Sequence, residues 1–273
     1  MNIFSSVLFH IPHDSSRIPA WSKDQFVLSK PTFKKELVLM RDSKTKALFS
    51  FDKCQKRLCA RVSRLVVDVE RFSDDSQEIM SQVGMGVIYT KTSNQNALRR
   101  KISQKERKAL LKSYYFTHHK AFYLAVKKLL AKHNKCLIID CHSFSSFSQD
   151  YELTKDTYRP QICLGADDFH TPKALLDFTK SAFEKAGFEV AINTPFAGAI
   201  TPSKFYEKDS RVSSLMIEVR RDLYMDETTG KVRKDWLDMK ARINSSCRQI
   251  CAEFSKDYLK THTFIISFAY LYS

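Results

Sequence analysis

A short apolar run, Leu137-Ile138-Ile139, leads straight into Asp140-Cys141-His142-Ser143-Phe144. A run this short and this apolar reads as a buried strand, and the polar triplet falls where the strand gives way to a loop. In open α/β sheets ligands bind beyond the carboxyl ends of the strands. Two further stretches share the form. Val7-Leu8-Phe9-His10-Ile11-Pro12-His13-Asp14 ends in a pair of histidines, and Ser214-Leu215-Met216-Ile217-Glu218-Val219-Arg220-Arg221 sets a carboxylate and two arginines on a strand. Two histidine-bearing strand ends and one acidic strand point to a hydrolytic metal site.

The rest of the chain supplies alternating elements. Strands are predicted at Ser6–Ile11, Cys59–Val69, Met85–Thr90, Leu137–Asp140, Gln161–Gly165, Phe188–Ile192 and Leu215–Val219. Helices are predicted at Phe33–Met40, Lys44–Phe51, Ser103–Lys135, Pro172–Lys185 and Trp236–Tyr258. Ser103-Gln104-Lys105-Glu106 has the spacing of a capping box. This alternation predicts an α/β fold, a mixed sheet flanked by helices, in a single domain over residues 1–273. The apolar tail Thr263–Tyr272 falls short of the ~20 residues that span a bilayer. It is expected to form a last strand or helix, or to stay loosely attached.

Composition narrows the function. Hydrophobic residues make up 43% and charged residues 27%, an ordinary globular balance. With six glycines and neither a Walker A nor a GxGxxG pattern, a glycine-rich phosphate loop is excluded. The formal charge of +15 favours anionic partners. Lys and Arg are spread along the whole chain without a nucleic-acid signature, so a small anionic substrate is expected and nucleic acid is not. The seven cysteines are odd in number and include no CxxC. They suit a reduced, cytoplasmic setting, and the first six residues lack the pattern of a secretory signal.

His13 and His142 are the leading metal ligands, since catalytic zinc takes three protein ligands and leaves one position open. The third ligand is open among Asp42, Asp14, Asp140 and His10. Glu218, buried on an apolar strand, reads as either a structural ion-pair partner or the general base. Arg64, Arg71, Arg220 and Arg221 are candidate clamps for substrate carboxylates. His118 and His119, on the long helix with Tyr114 and Tyr115, read as packing residues. Ser143 lacks a GxSxG context, which weighs against a serine nucleophile.

These stretches, in series, resemble the N-formylglutamate amidohydrolase family. The resemblance rests on His10-Ile11-Pro12-His13, Val62 to Phe72, Val83 to Thr90, Asp140 to Phe144, Ile162 to Gly165, Asn193 to Gly198 and Met216 to Met225. It implies a phosphorylase/peptidyl-hydrolase-like fold, similar to that of zinc exopeptidases. It also implies hydrolysis of N-formyl-L-glutamate to formate and L-glutamate, as in histidine degradation. By the same resemblance Zn2+ would be held by His13, Asp42 and His142, with Glu218 as proton carrier. Arg71 or Arg64 would stabilise the oxyanion, and Arg64, Arg220 and Asn193 would hold substrate carboxylates. One departure stands out: where the family pattern has a second aspartate after Asp42, this chain has Lys46. The rival readings are a metallo-amidase for another N-acyl amino acid or peptide amide, and a metal-free binding protein.

Overall fold

The computed structural model describes residues 2–153 and 158–269. Its strands are β1 (Val7–Ile11), β2 (Lys56–Cys59), β3 (Cys136–Phe144), β4 (Ile162–Gly165), β5 (Val190–Ile192) and β6 (Val212–Arg220). Its helices are α1 (Lys30–Met40), α2 (Thr45–Leu48), α3 (Gln104–Leu110), α4 (Phe116–His133), α5 (Lys173–Lys185) and α6 (Trp236–Ala269). The strands form one six-stranded sheet in the order β2-β1-β3-β6-β4-β5. Neighbours from β2 to β6 run parallel, β4 is antiparallel to β6, and β5 is parallel to β4. The mixed sheet expected from the sequence is therefore present.

Side chains alternate across a strand, so sequence parity decides which face each residue meets. Phe9, Ile139 and Ile217 face a core shared with Phe183 of α5 and Ile243 and Ile250 of α6. Leu8 and Ile138 face the other way, onto Phe122, Val126 and Leu129 of α4. Each such buried side chain contributes roughly 1.5–3 kcal/mol. The same parity assigns His10, Asp140, His142 and Glu218 to the α4 face. The apolar alternation thus locks the register, because a slip of one residue would turn the histidines into the α6 core.

Two predicted strands are absent. Residues 60–69 and 85–90 are irregular, and β2 covers only Lys56–Cys59. Leu65, Val66, Met85 and Tyr89 are nonetheless fully buried. They pack with α1 and α3 in two clusters beside the sheet, where Leu65, Met85, Tyr89 and Leu98 meet Met40. Their backbone groups are satisfied without a ladder: Val66 N donates to Ser63 O, Asp68 N to Val87 O, and the Arg99 guanidinium to Leu65 O and Val66 O. An apolar run signals burial, and here side chains and turns, not strand neighbours, meet the hydrogen-bond requirement.

The helices follow their sequence signals closely. Ser103 and Glu106 form the reciprocal capping box. The long helix predicted at 103–135 is α3, a π-helical turn at Leu111–Tyr115, and α4, which ends at Asn134 in a left-handed conformation (φ 53°). α1 begins earlier than expected, with Ser29 as its N-cap. α2 is a single turn, entered through Lys44 at φ 72° and capped by Asp14, which accepts from Lys44 N and Lys46 N. α6 continues past the predicted Tyr258 to Ala269; the last residues of the apolar tail lie outside the described ones. Among the described residues no helix is long and apolar enough to cross a membrane.

Candidate active site

The site gathers at the carboxyl ends of β1, β3 and β6. His13 follows β1 by two residues, Asp42 follows α1, and Asp68 and Glu70 sit on the irregular segment that replaces the predicted strand. His142 and Glu218 are Cα partners across β3 and β6. Asp42, Asp68, His13, His142 and Glu218 are all buried.

The imidazoles of His13 and His142 lie 5.1 Å apart between centroids. His13 Nε2 is 2.9 Å from Asp68 Oδ1. His142 Nε2 is 3.1 Å from Asp140 Oδ1 and 3.2 Å from Glu70 Oε2, contacts that are close but not aligned as hydrogen bonds. A carboxylate accepts only, so the Asp68 contact favours a proton on Nε2 of His13. The two Nδ1 atoms converge on Asp42: His142 Nδ1 is hydrogen-bonded to Oδ2 at 3.1 Å, and His13 Nδ1 lies 3.6 Å from the same oxygen. His13 Nδ1 is buried and has no hydrogen-bond partner. A proton on His142 Nδ1 bridges to Asp42, whereas a bare His13 Nδ1 facing the same oxygen is repelled unless a cation or a proton stands between them. Histidines held at one nitrogen by a carboxylate and free at the other are the usual arrangement around a metal. The opposite side of the rings offers a second set, since ligand atoms of His13, Glu70 and His142 lie within 4.8 Å of one another.

Charge supports the same conclusion. Around the rings stand five carboxylates (Asp42, Asp68, Glu70, Asp140, Glu218) and three guanidiniums (Arg64, Arg71, Arg221). With all five carboxylates ionised and both imidazoles neutral the formal balance would be −2, which a divalent cation would close and which protons on His142 and Glu218 offset in its place. Burial opposes charge on His142, yet Glu70 and Asp140 raise its pKa well above the ordinary value. Burial likewise works against ionised Asp42, but the charge of the nearby His13, the hydrogen bond from His142 and the Arg221 guanidinium hold it well below the carboxylate range. Arg221 Nη2 sits 3.0 Å from Asp42 Oδ1, and Ser143 N donates to Oδ2 at 3.2 Å. Burial pushes Glu218 up to about 7, with Asp42 and Glu70 adding to the rise and His142 and Arg221 opposing it. Glu218 Oε2 is buried and lacks a hydrogen-bond partner.

The other candidates have defined places. Arg71 lies at the site, its Nε 3.9 Å from Asp68 Oδ2 and without a hydrogen-bond partner. Arg64 is committed to Asp68 and to the Tyr89 hydroxyl, which itself donates to Asp68 Oδ2 at 2.5 Å. Arg220 pairs with Asp222 and donates to Arg159 O. Asn193 uses its side-chain carbonyl to accept from Ala166 N and Gly198 N, closing a loop. Asp14 caps α2 and pairs with Arg41 at 2.6 Å, so it is not drawn to the rings. Lys46 is exposed on α2. His170 is structural, bonded to Val212 O and Glu207 N. Ser143 Oγ accepts from Arg221 Nε at 3.2 Å. A cavity of about 420 Å3, lined by Glu36, Ser93 and Phe147 among others, includes none of the residues around the rings.

Sequence reasoning assigned no role to Asp68, Glu70 or Tyr89, and left Arg221 as one arginine among four. The signal for the first two was the alternation Asp68-Val69-Glu70 after an apolar run, which places both carboxylates on one side. No local signal marks Tyr89, whose hydroxyl reaches Asp68 across 21 residues.

Comparison with known proteins agrees with this picture. The family model of N-formylglutamate amidohydrolase matches residues 5–225. No curated protein matches the sequence. The crystal structure of N-formylglutamate amidohydrolase from Ralstonia eutropha JMP134 superposes with a TM-score of 0.79 at 20% identity, covering 94% of this chain and 95% of that one. A gene product of Agrobacterium tumefaciens superposes with a TM-score of 0.65 at 18% identity, over 94% and 92% of the two chains. These two likenesses concern the fold; the family match spans the strands, loops and residues described above, and the chain belongs to the N-formylglutamate amidohydrolase family.

Proposed function

We propose that this chain is a metal-dependent amidohydrolase that cleaves N-formyl-L-glutamate to formate and L-glutamate. The observation that carries the reading is the convergence of His13 Nδ1 and His142 Nδ1 on Asp42 Oδ2, beside the unpartnered Glu218 Oε2. His13, Asp42 and His142 would hold Zn2+ or another divalent ion. When bound, the ion would supply Lewis-acid polarisation of the formyl carbonyl and of the attacking water. Glu218 accepts a proton from that water as the C–O bond forms, and passes it to the amide nitrogen as the C–N bond breaks. A carboxylate poised near 7 suits both transfers. Arg71, with an unengaged Nε, is the guanidinium available to the developing oxyanion or to a substrate carboxylate. A small dianionic substrate in the cytoplasm fits the positive charge of the chain.

A second ligand set, His13, Glu70 and His142, is favoured by the mutual distances of its ligand atoms. The Nδ1 set is preferred because Asp68 engages His13 Nε2 while His13 Nδ1 has no hydrogen-bond partner, and because Asp42, the carboxylate already bonded to His142 Nδ1, would itself be a ligand of that set. Metal content of Asp42→Asn and Glu70→Gln separates the two: the first variant is expected to lose zinc and the second to keep it. Zinc retained in Asp42→Asn and lost in Glu70→Gln would transfer the site to the other side of the rings.

A further inference from the structure

Behind His142 a chain of buried polar side chains crosses from the sheet to α4. Asp140 Oδ1 lies 2.8 Å from His10 Nδ1, and His10 Nε2 lies 2.8 Å from His118 Nε2. His10 is fully buried and stacks on Phe122, with centroids 4.8 Å apart and planes 4° from parallel. His118 is buried too. The neighbouring His119 faces elsewhere and donates from Nε2 to Val69 O, between Asp68 and Glu70.

Donor and acceptor roles along this chain follow from two premises: an ionised carboxylate can only accept, and the His10 ring carries a single proton. His10 Nδ1 must therefore carry the proton given to Asp140. A neutral His10 ring then has a bare Nε2, and His118 Nε2–H must donate to it. The order is directional, from His118 to His10 to Asp140, and its end is the oxygen 3.1 Å from His142 Nε2.

We infer that His118 and His10 are positioning residues that act through Asp140. They fix the carboxylate beside His142 Nε2, which would hold the ring proton there when a metal takes the Nδ1 position that is hydrogen-bonded to Asp42 in this structure. This rests on the metal reading above. Neither histidine touches substrate or metal. Partners that bond a ligand directly typically change metal affinity by 10–100-fold, which bounds from above the effect of residues acting through Asp140.

Two measurements test it. Nitrogen–proton correlation spectra of the histidine rings in the metal-free protein at pH 7.5 should show His10 protonated on Nδ1 alone and His118 on Nε2. A proton on His10 Nε2 would overturn the proposed order. Zinc affinity, read by competition with a coloured chelator, should fall by about tenfold in His118→Phe, the lower end of the range for partners that bond a ligand directly. It should return to within about threefold of wild type in His118→Gln, whose amide can donate to His10. Equal affinity of His118→Phe and wild type would overturn the inference. A wild type that takes up no zinc would overturn the metal reading instead, while the ring spectra still decide the hydrogen-bond order and need no variant to fold.

Discussion

His142 and Glu218 are register partners on the two nine-residue strands β3 and β6, side by side on the face toward α4. Parallel pairing thus sets a metal-type imidazole next to a buried carboxylate with an unpartnered oxygen. The first prediction follows from that neighbour relation. Glu218→Gln should lower kcat by about 10²–10⁴ while zinc content stays at the wild-type level. Loss of zinc together with activity would make Glu218 a ligand, not a proton carrier.

The raised Glu218 pKa also has a consequence for stability. Its folded value, about 7, exceeds the ordinary carboxyl value of 4.5. Between these two pH values the folded state binds more protons than the unfolded state, so this group's contribution falls as pH rises. Near neutral pH, ionising Glu218 costs on the order of 3 kcal/mol in the metal-free protein. Metal-free Glu218→Gln is therefore expected to be more stable than metal-free wild type at pH 8, with the advantage shrinking toward pH 4.5. Denaturant titrations at both pH values measure the difference. An advantage that grows as pH falls would contradict the assignment.

Tyr89 and Asp68 make a third test. Tyr89→Phe removes the hydroxyl that donates to Asp68 Oδ2 and leaves Arg64 as its remaining side-chain donor on that oxygen. A cost of about 1.5–3 kcal/mol is expected for a hydrogen bond to a buried charge. Activity should survive, because Asp68 Oδ1 still holds His13. Thermal unfolding and turnover, read on the same sample, decide it.

Arg71→Ala should raise KM for a dianionic substrate or lower kcat through the oxyanion, whereas Arg220→Ala should do neither strongly. The contrast follows from their partners: Arg71 Nε is unengaged, while Arg220 is taken by Asp222 and Arg159 O. Steady-state kinetics of both variants, with equal zinc loading, provide the comparison. Equal effects would mean that Arg220 leaves Asp222 to meet substrate.

Much of this arrangement was legible in the chain itself. His13, His142 and Glu218 stand out because each sits at the end of, or within, an apolar strand, and strand alternation carries them to one face. Asp42 was legible through family resemblance, not through spacing. The segment 60–69 misled because Leu65, Val66 and Val67 look like strand residues. Their carbonyls are instead met by Arg99, which lies more than thirty positions away. Contacts of that range, like Tyr89 on Asp68 and His118 on His10, leave no periodic trace. Arg220 and Arg221 show the same limit at close quarters: adjacent in sequence, they pair with Asp222 and Asp42, and only the turn after β6 decides which.

The central claim is tested most directly by formate release from N-formyl-L-glutamate, measured with zinc content on the same preparations of wild type and His142→Ala. Wild type is expected to hold about one zinc per chain and to release formate equimolar with glutamate. A chelator should abolish turnover, added zinc should restore it, and His142→Ala should lose both metal and activity. Wild-type protein that is loaded with zinc yet releases no formate would contradict the proposed substrate. Turnover that is unchanged by the chelator, or kept by His142→Ala, would contradict the metal mechanism.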